Sequence, residues 1–527
     1  MVDYHGRRRL LTGGGHDTSN LPDYMPKFGK TLLPLGVYFI LAALVFHRDL
    51  SVGFLCDDVY AIDLSLRPWL SYEEGSYQFL GPAFAVNYTL FRLFQLNPVP
   101  YHVFHLFWVI FNAALTKALA DNLGLKPWQA WAAGLLALFN AVAAEAILWY
   151  AVFPTVMMTT SVLLGLLSLA RLRLTGAGIW KWTYLGLVLF APLMESKGVI
   201  LPLLGYLLDR CWSVTATATW KTRIFSGWRL HLAALGVMGS TLLLRIFLGI
   251  RSYVIDMPPY EKFKTFMATL VNTFFHGVDD HLSPFLGGIP YVPVYYALLL
   301  LLLALLLWAL IISPGAERRR LAVLILAWWA ASLPHTLAAN VQPRYFYLPG
   351  VFAALVLVEV WESFSRRTRK PQTAYVLVGL VLAVYLAMDL KGFQNSLDSY
   401  QEASRIYDAG IKFIKERAPV LTPDTRLLLI DFPDYIYSRQ GQSRIRKYYA
   451  LLYRNALPSH LRLLYGADKL DVSLLRLAVP SRENPVPLGK PGTWAEVQEM
   501  LARPGALAIQ YLPNPPRFVE IQKTPGE

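Results

Sequence analysis

Long apolar segments recur along most of this sequence, and they restrict its possible folds more than any other feature. A helix needs about 17 to 25 mostly apolar residues to cross the hydrocarbon core of a membrane. Charged residues make up only 16% of the chain, whereas soluble domains carry roughly 25%. The sequence therefore predicts a polytopic α-helical membrane protein with about eleven transmembrane helices, at residues 31–46, 101–120, 127–143, 149–170, 179–194, 199–211, 230–250, 292–312, 321–337, 346–361 and 374–388.

The distribution of basic residues predicts how the chain lies in the membrane. Its formal net charge is +14, which in a soluble protein suggests a nucleic-acid partner. With a cytoplasmic N-terminus, however, the basic clusters fall on one side of the membrane, at Arg7, Arg8 and Arg9, Lys126, Arg171, Lys221, Arg318 and Arg366. This is the positive-inside pattern. We expect a cytoplasmic N-terminus, an extracytoplasmic C-terminal segment and no nucleic-acid partner.

Hydropathy along the chain predicts three regions. Residues 1–30 form a cytoplasmic tail, and residues 31–391 form the transmembrane domain. That domain includes a first extracytoplasmic loop at 47–100 and a long loop at 251–291. After residue 391 charged helical stretches alternate with short β-like runs and proline-rich loops. Residues 392–527 are therefore predicted to be a soluble extracytoplasmic α/β domain, large enough for its own core.

An acidic pair, Asp57 and Asp58, follows the first apolar segment. A carboxylate that is partly desolvated at a membrane surface has a raised pKa and can accept a proton from an attacking hydroxyl. Carboxylate oxygens also suit a divalent cation, so Asp57 and Asp58 are the candidate ligands if a metal is bound. No other cofactor is indicated. The same pair also fits the first turn of an ordinary helix.

Two basic residues lie on the side where basic residues are otherwise rare. Lys197 sits at the outer end of a short apolar segment, and Arg344 opens the tenth segment beside Tyr345. A guanidinium at a helix N-terminus suits a phosphate or pyrophosphate. Snorkelling of Lys197 toward lipid head groups is the simpler alternative. Both residues are candidate phosphate ligands.

Weaker candidates lie on the same predicted side. His102 and His105 are three residues apart near the outer end of the second segment, and Glu145 precedes Trp149. Histidines at this spacing can share a ligand, although two interfacial histidines hydrogen-bonded to their neighbours are the commoner arrangement. Asp279, Asp280 and His281 resemble a metal site, or a solvated loop.

Taken in order, these motifs resemble the GT-C integral-membrane glycosyltransferases, particularly bacterial relatives of protein O-mannosyltransferases and of the TMTC group. The resemblance covers roughly residues 30–390 and implies an inner (plasma) membrane enzyme that takes a sugar from a polyprenyl-phosphate carrier. By the same resemblance Asp57 is the base, supported by Asp58, and the carrier phosphate lies against Lys197, Arg344 and Tyr345. Contacts to the sugar or acceptor then fall to Glu145, His102, His105, Tyr77 and Gln342.

One departure from the family pattern bears on the substrates. Many relatives have a Tyr-Arg-Pro-Leu stretch after the acidic pair, and this chain has Tyr77-Gln78-Phe79-Leu80. The acceptor is predicted only as a hydroxyl of a protein or glycan, and membrane lipids are expected to contact the protein.

Two further functions stay open. A transporter or flippase of lipid-linked saccharides is the main alternative, although internal repeats and mid-membrane charges, common in transporters, are not evident. A scaffold without catalysis is compatible with Gln78.

Overall fold

The computed structural model describes residues 29–55, 57–66, 81–140, 143–212, 227–247, 258–275, 291–337, 343–367, 371–421, 425–437, 448–449, 456–466, 471–477, 486–487, 489–513 and 515–522. Most of this part of the chain is helical. The helices are α1 Gly29–Phe46, α2 Asp57–Leu66, α3 Gly81–Phe94, α4 Pro98–Asn122, α5 Pro127–Leu138, α6 Ala144–Leu148, α7 Phe153–Thr175, α8 Gly178–Met194, α9 Leu201–Trp212, α10 Trp228–Phe247, α11 Pro259–Phe274, α12 Tyr291–Ile312, α13 Gly315–Leu337, α14 Tyr347–Arg367, α15 Pro371–Arg417, α16 Ala456–Tyr465 and α17 Trp494–Leu501.

The predicted helical membrane architecture is confirmed, because every predicted apolar segment coincides with a helix in the described residues. Five stretches there are long and apolar enough to cross a membrane by length and composition: Leu33–Ser51, Pro98–Asn122, Tyr150–Thr175, Arg344–Arg367 and Tyr375–Arg417. Two shorter apolar helices cover Trp228–Leu244 and Tyr296–Ile312. The total of eleven spans stays a prediction.

The segment 251–291, predicted as a long loop between membrane helices, contains helix α11, and its place outside the membrane stays a prediction. Proline at the first position of α11 favours a helix start. Apolar residues at helical spacing then bury one face, with Leu270, Val271 and Phe274 in the core. Charged residues near the start of the same helix lower its average hydropathy. Its amphipathic character therefore escapes a search for apolar segments.

Helix α14 lies at the centre of the bundle, and charged residues lie at both of its ends. Its apolar residues are buried on every side, which is typical of a core helix. At 1.5 Å per residue its 21 residues extend about 31 Å, close to the roughly 30 Å of a hydrocarbon core. Arg344 precedes it at one end. At the other end Glu359 pairs with Arg320, and Glu362 pairs with Lys126.

The C-terminal part contains the small α/β region expected there. Helix α15 runs unbroken across residue 391, so the domain boundary stays a prediction. Strand β1 Arg426–Ile430 is central and pairs in parallel with β4 Asp471–Arg476 and β7 Ala506–Pro513. The edge strands are β6 Lys490–Pro491 and β8 Pro516–Ile521. A second sheet has the order β3-β2-β5, with β2 Pro433–Tyr437, β3 Tyr448–Tyr449 and β5 Val486–Pro487.

Candidate functional site

The predicted charged residues come together at the Arg344 end of the bundle. Each lies in a short connection between apolar helices rather than inside one. Glu145 lies in α6, Lys197 in the 3-10 helix Ser196–Ile200, and Arg344 in the 3-10 helix Pro343–Phe346. We call Glu145, Glu195, Lys197, Arg344 and Tyr345 the cation cluster.

Arg344 is held by a carboxylate and stacked between aromatic rings. Its Nη1 donates to Glu145 Oε1 at 2.7 Å, and its backbone N–H donates to Glu145 Oε2 at 3.2 Å. The guanidinium lies 5.0 Å from the Trp149 ring centroid and 5.2 Å from that of Tyr345. The side chains of Arg344 and Glu145 are 19% and 18% exposed. This ion pair is therefore the accessible part of the cluster.

Lys197 is more deeply placed than Arg344. Its ammonium donates to Glu195 Oε1 and lies 3.2 Å from the Tyr345 ring centroid. Burial lowers the pKa of Lys197 to about 8, because the ammonium loses its hydration. The Glu195 carboxylate opposes this shift, and repulsion from Arg344 adds to it. The charge of Lys197 therefore depends on its partner.

Tyr345 joins the two cations, since its ring contacts both Lys197 and Arg344. Cations bind the negative face of an aromatic ring. Two positive charges thus contact one aromatic ring, and each is also paired with a carboxylate. This arrangement can stabilise a phosphate and the charge that develops when a phosphate leaves.

Asp57 is the first residue of α2 and is partly exposed. Its charge acts on the Arg344 guanidinium, so the predicted base lies on the same side of the molecule as the cation cluster. Both acids stand in the first turn of α2, where negative charge also favours the helix dipole. The acidic pair therefore does occupy a helix start, which was the alternative interpretation of this motif.

Asp58 differs from Asp57 because it faces the protein interior. It is buried, and its two oxygens accept from Leu55 N at 2.8 Å and from Ala151 N at 2.6 Å. Burial penalises the ionised carboxyl and raises the pKa of Asp58 to about 7. The bond to Ala151 ties α2 to the segment that carries Glu145 and Trp149. Asp58 thus holds the position of its neighbour.

The two predicted histidines are buried beside this region. His105 Nε2 donates to Ala146 O at 2.9 Å, next to Glu145. His102 Nδ1 lies 3.5 Å from Asp49 Oδ2, and both side chains are fully enclosed. A sugar or acceptor role for these histidines stays a prediction. The pairing of Asp49 with His102 was not predicted from the sequence, because no motif near Asp49 indicates it.

Several predicted residues lie outside the described part of the chain. They are Tyr77, Gln78, Gln342, Asp279, Asp280 and His281. Within the described part, no group of three or more His, Cys, Asp or Glu side chains is arranged to hold a metal ion. The Asp58 oxygens are each directed at a backbone amide, which suits a structural carboxylate better than a metal ligand. A divalent cation at Asp57 and Asp58 stays a prediction.

No protein-family model matches the chain, and no curated protein matches it. Among solved structures it is similar to the crystal structure of ArnT from Cupriavidus metallidurans in the apo state. The sequence identity is 14% and the TM-score 0.48, with 91% of this chain and 93% of that chain covered.

Proposed function

We propose that the chain is a GT-C-type glycosyltransferase of the inner (plasma) membrane. It moves a sugar from a polyprenyl-phosphate carrier to an extracytoplasmic hydroxyl of a protein or glycan. The observation that supports this most is the cation cluster, which brings Lys197 and Arg344 onto one aromatic ring on the same side as Asp57. An inverting transfer needs a cationic site for the leaving phosphate and a carboxylate for the attacking hydroxyl.

The cations act on the donor. The guanidinium has five N–H donors, and one of them is directed at Glu145 Oε1, so Arg344 can bind a phosphate oxygen with others. When the bond between the anomeric carbon and the phosphate oxygen breaks, negative charge grows on the phosphate. Fixed cations stabilise that charge without having to move. In typical enzymes this lowers the activation barrier by several kcal/mol, roughly 3 to 4 per donor group.

Asp57 acts on the acceptor. It accepts the hydroxyl proton while the hydroxyl oxygen bonds to the anomeric carbon and the carrier phosphate departs. General-base catalysis of this kind contributes about 10²- to 10⁴-fold to rate. Asp58 supports it by fixing the first turn of α2 against Ala151.

Membrane lipids and the polyprenyl chain contact the outer apolar helices. In the part of α15 that precedes residue 390, large apolar side chains such as Leu377, Val381 and Val384 are exposed. Such a surface suits hydrocarbon rather than water. The cation cluster and the C-terminal region lie on the extracytoplasmic side in this proposal.

The test compares wild type with Asp57→Asn in lipid nanodiscs, using lipid-extracted polyprenyl-phosphate sugars and envelope acceptors. We expect transfer to fall by at least about 10²-fold while donor binding is kept. Asp398→Asn is the matched control, because that acid lies in an exposed pair with Arg48 and should leave transfer unchanged. Equal transfer by Asp57→Asn removes Asp57 as the base. Donor translocation without any transfer supports a flippase instead.

A further inference from the structure

Helix α2, which begins with Asp57, is fastened at both ends. Near its start Asp58 bonds to Ala151 in the transmembrane bundle. Near its end Asp63 is buried and bonds to α16 in the C-terminal region. Two fixed points separated along a helix restrict both its position and its rotation. The second point links regions that the sequence suggests are separate.

The second attachment is a carboxylate that accepts from two side chains of α16. Asp63 Oδ2 accepts from Ser459 Oγ at 2.9 Å and from Arg462 Nη2. Arg462 Nη2 also donates to Ser459 Oγ at 3.1 Å. We call Asp63, Ser459 and Arg462 the α2 latch. Charge-assisted bonds of this kind are shorter and stronger than neutral ones.

Helix α16 is itself supported by α15. The hydroxyl of Tyr407 lies 3.0 Å from His460 Nδ1, and both side chains are buried. Burial lowers the pKa of His460 to about 4, so its ring is neutral near pH 7. A second contact joins α15 to the residues before α2, where Gly53 N donates to Ser404 Oγ at 2.5 Å. The C-terminal region therefore contacts both α2 and the residues that precede it.

We propose that the α2 latch is a positioning device, through which the C-terminal region aligns Asp57 with the cation cluster. The proposal rests on the proposed transferase function. Asp63 follows Asp57 by six residues, about 9 Å along the helix axis and on a different face. Asp63 therefore acts through the helix and does not touch the reacting atoms. In a transferase this alignment affects turnover more than donor affinity.

The main experiment measures kcat, acceptor KM and donor affinity in Asp63→Asn and in Arg462→Met. We expect kcat to fall about 10- to 100-fold, the loss typical when a reacting group is misplaced by about 1 Å. Donor affinity and acceptor KM should stay within about twofold, because the latch lies away from the cation cluster. Arg462→Lys should keep part of the turnover. Arg503→Met is the matched control, since Arg503 follows the end of α17 and pairs there with Glu499 at the exposed surface.

A second measurement keeps the latch testable if transfer itself is not found. Hydrogen exchange of the α2 amides in full-length protein should be faster in Arg462→Met than in wild type, with α3 amides unchanged. Faster α2 exchange without any wild-type transfer would leave the latch standing and remove the proposed function. Unchanged kcat together with a lower melting temperature would overturn the positioning role. A raised acceptor KM at constant kcat would overturn it as well, and would make α16 an acceptor-binding surface.

Discussion

Replacement of Glu195 by glutamine should make donor binding strongly dependent on pH. Lys197 is buried with a pKa of about 8, and Glu195 is the group that most favours its charged form. A charge-assisted hydrogen bond is worth about 1.5 to 3 kcal/mol, and one pKa unit corresponds to about 1.4 kcal/mol. Without the carboxylate, the pKa of Lys197 should therefore fall by about one to two units.

The sign of the effect follows from the charge of the ammonium. At pH 8 about half of the wild-type Lys197 is charged, whereas about 1 to 10% is charged in Glu195→Gln. If Lys197 binds the carrier phosphate, donor affinity at pH 8 falls roughly 5- to 50-fold in the variant. At pH 6 about 99% of the wild-type lysine and about 50 to 90% of the variant lysine is charged, so their affinities should agree within about twofold. Lowering the pH should therefore restore donor binding to Glu195→Gln.

The assay is equilibrium binding of polyprenyl phosphate to protein in nanodiscs at pH 6, 7, 8 and 9. The double variant Glu195→Gln with Lys197→Arg is the control, because a guanidinium stays protonated throughout this range. Its affinity should follow only the titration of the phosphate itself. Parallel affinity curves for wild type and Glu195→Gln would contradict this prediction, since either Lys197 would not contact the phosphate or Glu195 would not hold its charge.

Two further predictions concern other parts of the bundle. A Cβ at Gly198 would lie 2.6 Å from the carbonyl oxygen of Ala191. Gly198→Ala should therefore displace Lys197 and weaken polyprenyl-phosphate binding about tenfold or more. Gly186→Ala, with open space around it, should leave that binding unchanged. Buried Asp209 accepts from Arg173 at 2.6 Å and from His231 at 3.0 Å. Asp209→Asn should therefore lower the free energy of unfolding by about 3 to 5 kcal/mol, while kcat of the folded enzyme is unchanged; a lower kcat at equal stability would contradict this.

The helices of the bundle could be predicted because hydropathy is a local property of the sequence. Each apolar segment became a helix, since a chain in lipid must satisfy its backbone hydrogen bonds internally. Helix α11 was not predicted, because the charged residues in its first turns lower the local mean hydropathy. The continuity of α15 across residue 391 was missed as well. A fall in hydropathy marks a change of surroundings and does not by itself end a helix.

The site could be predicted in part. Lys197 and Arg344 stood out because they depart from the positive-inside distribution, and the structure brings them onto one tyrosine ring. Partners that are distant in sequence left no such signal. Asp63 and Arg462 are 399 residues apart, and either alone reads as an ordinary surface charge. Pairing of this kind depends on the packing of α16 on α2, which no local pattern encodes.

The pairing of both cations with carboxylates has a consequence for the order of donor binding. A buried charge that loses its partner is strongly disfavoured, by about 3 to 5 kcal/mol, so where a phosphate displaces a carboxylate it must do so as it arrives rather than after the carboxylate has left. The Glu145–Arg344 pair is the more exposed of the two, and the Glu195–Lys197 pair is nearly enclosed. Exchange is therefore easier at Arg344. If the chain acts as proposed, the carrier phosphate should contact Arg344 first and then reach Lys197, which contacts the same tyrosine ring.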